Sequence, residues 1–255
     1  MGLELYLDTA NLDEVRQIKQ WGIITGVTTN QKIFLNEKGV NFQQHVKELL
    51  ALADGPVSIE VTSSNPETFM AEAKEFASWG KNVVIKVPMI GNGAALKTIS
   101  QLEKEGIKTN ATILMTSGQV LLAAMAGASY ASIFFCRVLD CGEDAERTVA
   151  RSRALLDNAG FRTKLIIGSI RGPEDVDRAV IAGAHIVTVP YKILSQMPYH
   201  YRTEETALEF ERAWQEFKKA EVERRNDGNG DGDGSSDKEE VPMQKVWTLG
   251  GQAGA

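Results

Sequence analysis

Short apolar runs alternate along this chain with longer stretches in which apolar residues recur every three or four positions. LELYLD (3–8) opens the series, and behind it NLDEVRQIKQW places apolar residues at 12, 15 and 18. That spacing lays them on one helical face, with Asn11 as the N-cap. GVTT, VSIEV, NVVIKV, IKTNATI, YASIFFCRV, KLIIGS and HIVTVP are the further strand candidates. Helical patterns separate them: around VKELLALA, from Pro66 to about Trp79, then GAALKTISQLEKEG, GQVLLAAMAGA, EDAERTVARSRALLDNAG and PEDVDRAVIAGA. ETALEFERAWQEFKKAE closes the series as a long amphipathic helix. Continuous apolar strands alternating with helices make a parallel sheet buried on both faces. Eight such units predict a closed (β/α)8 TIM barrel rather than an open doubly wound sheet. The pairs Gly127-Ala128 and Gly183-Ala184 suit tight turns from helix into strand.

The pattern stops near residue 222. From Asn226 to Glu240 there is no apolar side chain, so this stretch cannot contribute to a core. The expected organisation is one barrel with its C-terminal helix over 1–221 and an acidic Gly/Asp/Ser-rich appendage over 222–255. Asp227, Asn229, Asp231 and Gly232 match half of a calcium loop, but Lys238 stands where a bidentate Glu is needed. A solvated linker is the reading adopted.

Charge and composition narrow the classes. Of the net −6, the appendage carries −3 and leaves −3 on the body, which argues against general nucleic-acid or anionic-membrane binding. No apolar run approaches the roughly 20 residues of a membrane span. The start, MGLELYLDTANLDEV, carries acids early and no basic segment, unlike a secretory leader. Two cysteines, Cys136 and Cys141, make neither a disulfide framework nor a zinc site. A cytoplasmic location is expected. Cys136 adjoins Arg137 but, by strand alternation, points the other way, so both cysteines are read as inert.

The chemistry is expected at the C-terminal strand ends, where barrel active sites lie. Those ends carry Asp8, Thr28 with Asn30, Glu60, Lys86, Asn110 with Thr112, Arg137, and Ser169 with Arg171. Seven of eight strands thus deliver polar groups to one mouth, and each would need a partner if its role were only structural. Lys86 interrupts the apolar run VVIKVP. It is either a structural partner of Glu60 or Asp8, or an amine able to attack a carbonyl and form a Schiff base. His45, His185 and His200 are scattered, and no metal-ligand spacing or dinucleotide loop is present. No metal and no cofactor are expected.

These residues carry a resemblance to a known family. LYLDTAN (5–11), GVTTN (26–30), SIEV (58–61), VVIKVP (83–88), GIKTNATI (106–113), SIFFCRVLD (132–140) and GSIR (168–171) resemble, in order and spacing, the transaldolases and the related fructose-6-phosphate aldolases. The resemblance covers about residues 3–220 and implies a barrel of the class I, Schiff-base aldolase type. It implies that Lys86 forms the Schiff base with a ketose carbonyl and that Asp8 assists proton transfer and holds donor hydroxyls. Glu60 would act as general acid/base through a water held by Thr112. Thr28, Asn30, Asn110 and Ser132 would bind the dihydroxyacetone moiety or order that water, with Phe134 beside them. Arg137, Ser169 and Arg171 would hold the sugar phosphate, for which guanidinium forks are suited.

Aldolase-type members carry Gln at the place of Glu60, a Tyr near Phe134 and an apolar residue at Asn110, so the resemblance favours transaldolase. It implies reversible dihydroxyacetone transfer between ketose and aldose phosphates, as in the pentose phosphate pathway, by a pentamer or decamer. A fructose-6-phosphate aldolase and a non-catalytic sugar-phosphate binder are the alternatives. The familiar Asn-Pro-Ser stands here as Asn30-Gln31-Lys32, and Ile90 and Ala94 also depart. These are read as neutral loop changes, with an unusual acceptor as the alternative.

Overall fold

The computed structural model describes residues 2–63 and 66–227. The described residues up to Pro198 form one compact unit and those from Tyr199 to Asp227 belong to a second. In the first, β1 (Glu4–Asp8), β2 (Gly26–Thr28), β3 (Val57–Glu60), β4 (Val83–Pro88), β5 (Thr109–Leu114), β6 (Tyr130–Phe134), β7 (Lys164–Gly168) and β8 (Ile186–Pro190) pair in chain order and close β8 on β1. Every pairing is parallel. This is the predicted barrel.

Helices α1 (Leu12–Lys19), α3 (Phe42–Leu52), α4 (Pro66–Ala77), α5 (Ala94–Lys104), α6 (Ser117–Met125), α8 (Ala145–Asn158) and α9 (Pro173–Ile181) follow the predicted alternation, and the short helices α2 (Gln31–Phe34), α7 (Phe135–Asp140) and α10 (Tyr191–Leu194) are additions to it. Asn11 caps α1 as expected, its side chain accepting from the N–H groups of Asp13 and Glu14. Gly127 and Gly183 adopt φ of 92° and 103°, and their following alanines donate back to Ala123 and Ala179, closing α6 and α9 as glycine caps do.

Two expectations are corrected. YASIFFCRV is not one strand: β6 ends at Phe134, and FCRVLD turns into α7, still buried at Phe135, Cys136 and Val138. Arg137 therefore stands on a helical turn, and the strand-alternation argument for Cys136 lapses. Cys136 is buried and donates its thiol to Asp175 (3.1 Å); burial and that carboxylate push the thiol up to about 11. The expected boundary at 221/222 also falls inside a helix, because α11 (Tyr201–Asp227) runs through it. The Glu221–Arg225 ion pair (2.7 Å, i to i+4) spans that point. The half-matched calcium loop lies outside the described residues beyond Asp227.

Alternation sorts the strand residues into two apolar sets. Leu7, Val27, Ile59, Ile85, Ile133, Ile167 and Val187 face outward into the large core shared with the helices. Tyr6, Val84, Tyr130, Ile166 and Ile186 form a separate cluster inside the barrel. Gly26 makes room for it: a Cβ there would stand 2.7 Å from the Tyr6 ring. Two residues further along their strands come Asp8, Lys86, Ser132, Gly168 and Thr188, so a polar layer rests on this apolar plug.

At that level β5 is irregular. Ala111 pairs with Ala131, but the next pair is Leu114 with Ile133, which leaves an extra residue in β5. Ile113 takes φ of 61°, a left-handed conformation costly for a β-branched residue. Ser169, just past β7, shows the same φ. Both strained positions sit at the mouth, where such strain gathers when surrounding structure enforces it. Glycine ordinarily destabilises a strand relative to alanine by about 0.5–1 kcal/mol. At residue 113 that order should reverse, with Ile113→Gly more stable than Ile113→Ala by about 1 kcal/mol in urea unfolding. The ordinary order would show that position 113 is unstrained.

Candidate active site

The polar layer encloses a cavity of about 140 Å³ lined by Asp8, Thr28, Asn30, Lys86, Asn110, Thr112, Ser132, Phe134, Arg137, Gly168, Ser169 and Thr188. Ten of the twelve residues expected in the site are among these. Glu60 flanks the cavity from the next strand, its carboxylate 3.4 Å from Lys86 Nζ. Arg171 alone is directed elsewhere.

Lys86 is 4% exposed. A buried ammonium is costly unless its protons are met. Here Nζ donates to the Thr29 carbonyl (2.8 Å), and the Glu60 carboxylate lies next to it. The register places Glu60, Lys86 and Asn110 side by side across β3, β4 and β5. The structural-partner alternative is thus realised in part, since Glu60 does pair with Lys86. The amine nevertheless faces the cavity.

Asp8 opposes it from β1. Thr28 Oγ1 donates to Asp8 Oδ1 (2.7 Å) and lies 2.6 Å from Thr188 Oγ1. With its own proton given to Asp8, Thr28 accepts from Thr188. A second chain runs from Ser132 Oγ, donating to Asn110 Oδ1 (2.7 Å), to Asn110 Nδ2, donating to Ser58 Oγ (3.3 Å). Asn30 spends its side-chain oxygen capping α2 at Ile33 N (3.0 Å), which leaves its amide N–H groups for the cavity. Thr112 Oγ1 is fully buried and has no protein partner among the described residues.

The arginines divide. Arg137, on α7, lies over the Phe134 ring (5.7 Å to its centroid) and lines the cavity. Arg171 places its two terminal guanidinium nitrogens on Asp140, one at 2.7 Å, and is exposed. That fork holds the Asp140 carboxyl below its ordinary value. The departures also have places: Gln31 donates to the Val61 carbonyl (3.0 Å), Lys32 is exposed on α2, and Ile90 is exposed past β4. Gln31 and Ile90 line, with Glu60 and Val61, a flanking pocket of about 200 Å³.

Sequence reasoning passed over Thr188 and Ser58. Alternation in HIVTVP and VSIEV was the available signal, since both are inward positions beside residues already singled out. With Thr188, all eight strands contribute a polar or glycine position to the mouth region. No group of metal-ligating side chains occurs among the described residues.

The Asp8 carboxyl is pushed above its ordinary value chiefly by burial, and only partly pulled back by the Lys86 charge and the Thr28 hydroxyl. The folded state therefore holds this proton more tightly than the unfolded chain. Its contribution to stability falls as pH rises from the unfolded value near 4 through the raised folded one. Asp8→Asn cannot ionise, so its urea midpoint should gain on wild type as pH is raised from 4 to 8. A difference that stays flat over that range contradicts a raised Asp8.

Known proteins are similar to this chain over most of its length. The family described as Transaldolase/Fructose-6-phosphate aldolase matches residues 5–229. A protein named "Probable transaldolase" from Desulforudis audaxviator is 46% identical over 217 residues, covering 85% of this chain and 100% of its own length. Proteins of the same name are 43% identical in a Thermoanaerobacter strain (83% and 97% covered) and 40% in Streptococcus agalactiae (85% and 100%). A mandelate oxidase variant with an FMN adduct superposes at a TM-score of 0.52 and 13% identity, over 74% of this chain and 64% of its own. That is a likeness of fold alone. The family match over residues 5–229 and these relatives make this chain a member of the transaldolase/fructose-6-phosphate aldolase family and a transaldolase-type enzyme.

Proposed function

We propose that this enzyme transfers a dihydroxyacetone unit from a ketose phosphate (fructose 6-phosphate or sedoheptulose 7-phosphate) to an aldose phosphate (erythrose 4-phosphate or glyceraldehyde 3-phosphate). The observation that carries this reading is the buried Lys86 amine facing the cavity beside the Glu60 carboxylate. The amine adds to the ketose C2 carbonyl, Glu60 relays the proton it sheds, and water leaves to give the imine. Asp8, whose carboxyl is easily protonated, takes the proton of the C4 hydroxyl as the C3–C4 bond breaks. An aldehyde departs and an enamine stays on Nζ. An incoming aldose phosphate reverses each step, and water releases the new ketose from the lysine.

The cavity's size fits this division. At about 140 Å³ it is smaller than the ~300–1,000 Å³ of a pocket that swallows a drug-sized ligand. It takes the three-carbon end and leaves the phosphate end at the rim with Arg137 and Ser169. Arg171 joins them by exchanging Asp140 for the phosphate, a dianion that suits the fork at least as well. The Thr28–Asp8 and Ser132–Asn110 chains hold hydroxyls, and Thr112 supplies a buried hydroxyl for the water that serves Glu60.

The enzyme acts, in this reading, as a cytoplasmic homo-oligomer, a pentamer or decamer, in the pentose phosphate pathway. Support for assembly comes from α11, where Phe210, Trp214 and Phe217 share one face at 50–71% exposure. No helix of the described residues is long and apolar enough to cross a membrane.

Purified protein given fructose 6-phosphate should release glyceraldehyde 3-phosphate rapidly only when erythrose 4-phosphate is added. Equally fast release without an acceptor would make it the aldolase. Glu60→Gln should slow transfer by about 10²–10⁴-fold in kcat while leaving donor binding in place. An unchanged rate would remove Glu60 from the proton relay.

A further inference from the structure

A second cavity is larger than the one around Lys86. A pocket of about 700 Å³ lies at the other end of the barrel, where β5, β6 and β7 begin. Its charged lining is Lys108, Arg162, Lys164 and Glu103, on a floor that includes Tyr130 and Phe161. This volume is in the range of sites that enclose a small metabolite.

The charges here are unevenly satisfied. Lys164 is paired with Glu4. Both oxygens of the Glu103 carboxylate are committed to the walls: Oε1 accepts from Thr109 N, Thr109 Oγ1 and Ser129 N at 2.7–2.8 Å, and Oε2 from Ser129 Oγ at 3.1 Å. Among the described residues neither the Lys108 amine nor the Arg162 guanidinium has an ion-pair or hydrogen-bond partner, and both are exposed. Two unpaired cations thus border one concavity, brought together from the start of β5 and the loop before β7. Both strands are firmly paired in the sheet, and Thr163 ties that loop to the Ala128 carbonyl (2.7 Å). A fork and a point charge over a partly apolar floor make a receptor for a phosphate group attached to a compact body.

We propose that this pocket binds a phosphorylated small molecule that is not the substrate. A ligand here stands at the opposite end of the barrel from Lys86 and cannot reach its amine. It lies one side-chain layer beneath the site, because Tyr130 precedes Ser132 by two residues on the inward face of β6. The pocket is distinct from the phosphate-binding role given above to Arg137 and does not depend on it.

Inorganic pyrophosphate is the probe. Its binding to the full chain is measured by calorimetry for wild type, for Arg137→Met and for the double variant Lys108→Met/Arg162→Met. The expected result is a site that survives Arg137→Met and loses affinity at least about tenfold in the double variant, a change of ~1.4 kcal/mol. Donor cleavage stays at the wild-type rate in the double variant, which shows that it is folded. Should the double variant be unstable, Arg162→Met alone, exposed on its loop, gives the same comparison. No binding at millimolar pyrophosphate, or binding abolished by Arg137→Met and unmoved by the distal variants, overturns the proposal.

Discussion

A lysine amine held almost out of water at the mouth of a barrel sets the terms for everything around it. Left unmet, such a charge would cost several kcal/mol, more than most single contacts return. The structure meets it with one carbonyl, that of Thr29, and one carboxylate, that of Glu60. Neither encloses it fully. A lysine sealed in a tight bidentate pair would be inert, whereas this one keeps a face to the cavity and a proton acceptor at 3.4 Å. Asp8 is the counterpart: buried, pulled down by Lys86 yet pushed up further by its surroundings, it holds a proton more readily than an ordinary carboxylate. The proposed transfer uses both carboxyl groups, Glu60 beside the amine and Asp8 across from it.

The fold makes this arrangement rigid by stacking layers. Tyr6, Val84, Tyr130, Ile166 and Ile186 fill the barrel beneath the site, so the polar side chains above stand on close-packed apolar groups. The extra residue in β5 and the left-handed backbone at Ile113 and Ser169 lie where the chain delivers Thr112 and the rim. Stability is spent there on geometry.

Most of the barrel was legible because buried parallel strands are continuous apolar runs, and a single charge inside one, as at Lys86, stands out. The misreading at FFCRV has the same origin. A buried helical turn is as apolar as a buried strand, and six residues are too few for a helical period to show. The four-residue helices α2 and α10 escaped for that reason too. Thr188 was overlooked because threonine is an ordinary strand residue and only the closed barrel reveals which way it faces. For Arg171, the resemblance implied a phosphate contact, while the partner it has here, Asp140, is 31 residues away and nothing in the sequence joins the two. The C-terminal helix outran its apolar pattern because charged residues with i to i+4 pairing continue a helix without one.

Lys86, as proposed above, carries the substrate as an imine. Borohydride added to enzyme turning over fructose 6-phosphate reduces such an imine to a stable amine, and peptide mass spectrometry locates it. A dihydroxypropyl group is expected on Lys86, with inactivation in proportion, and none on Lys86→Met protein. Full retention of activity under borohydride with substrate present, or an adduct placed on another lysine, would contradict that imine.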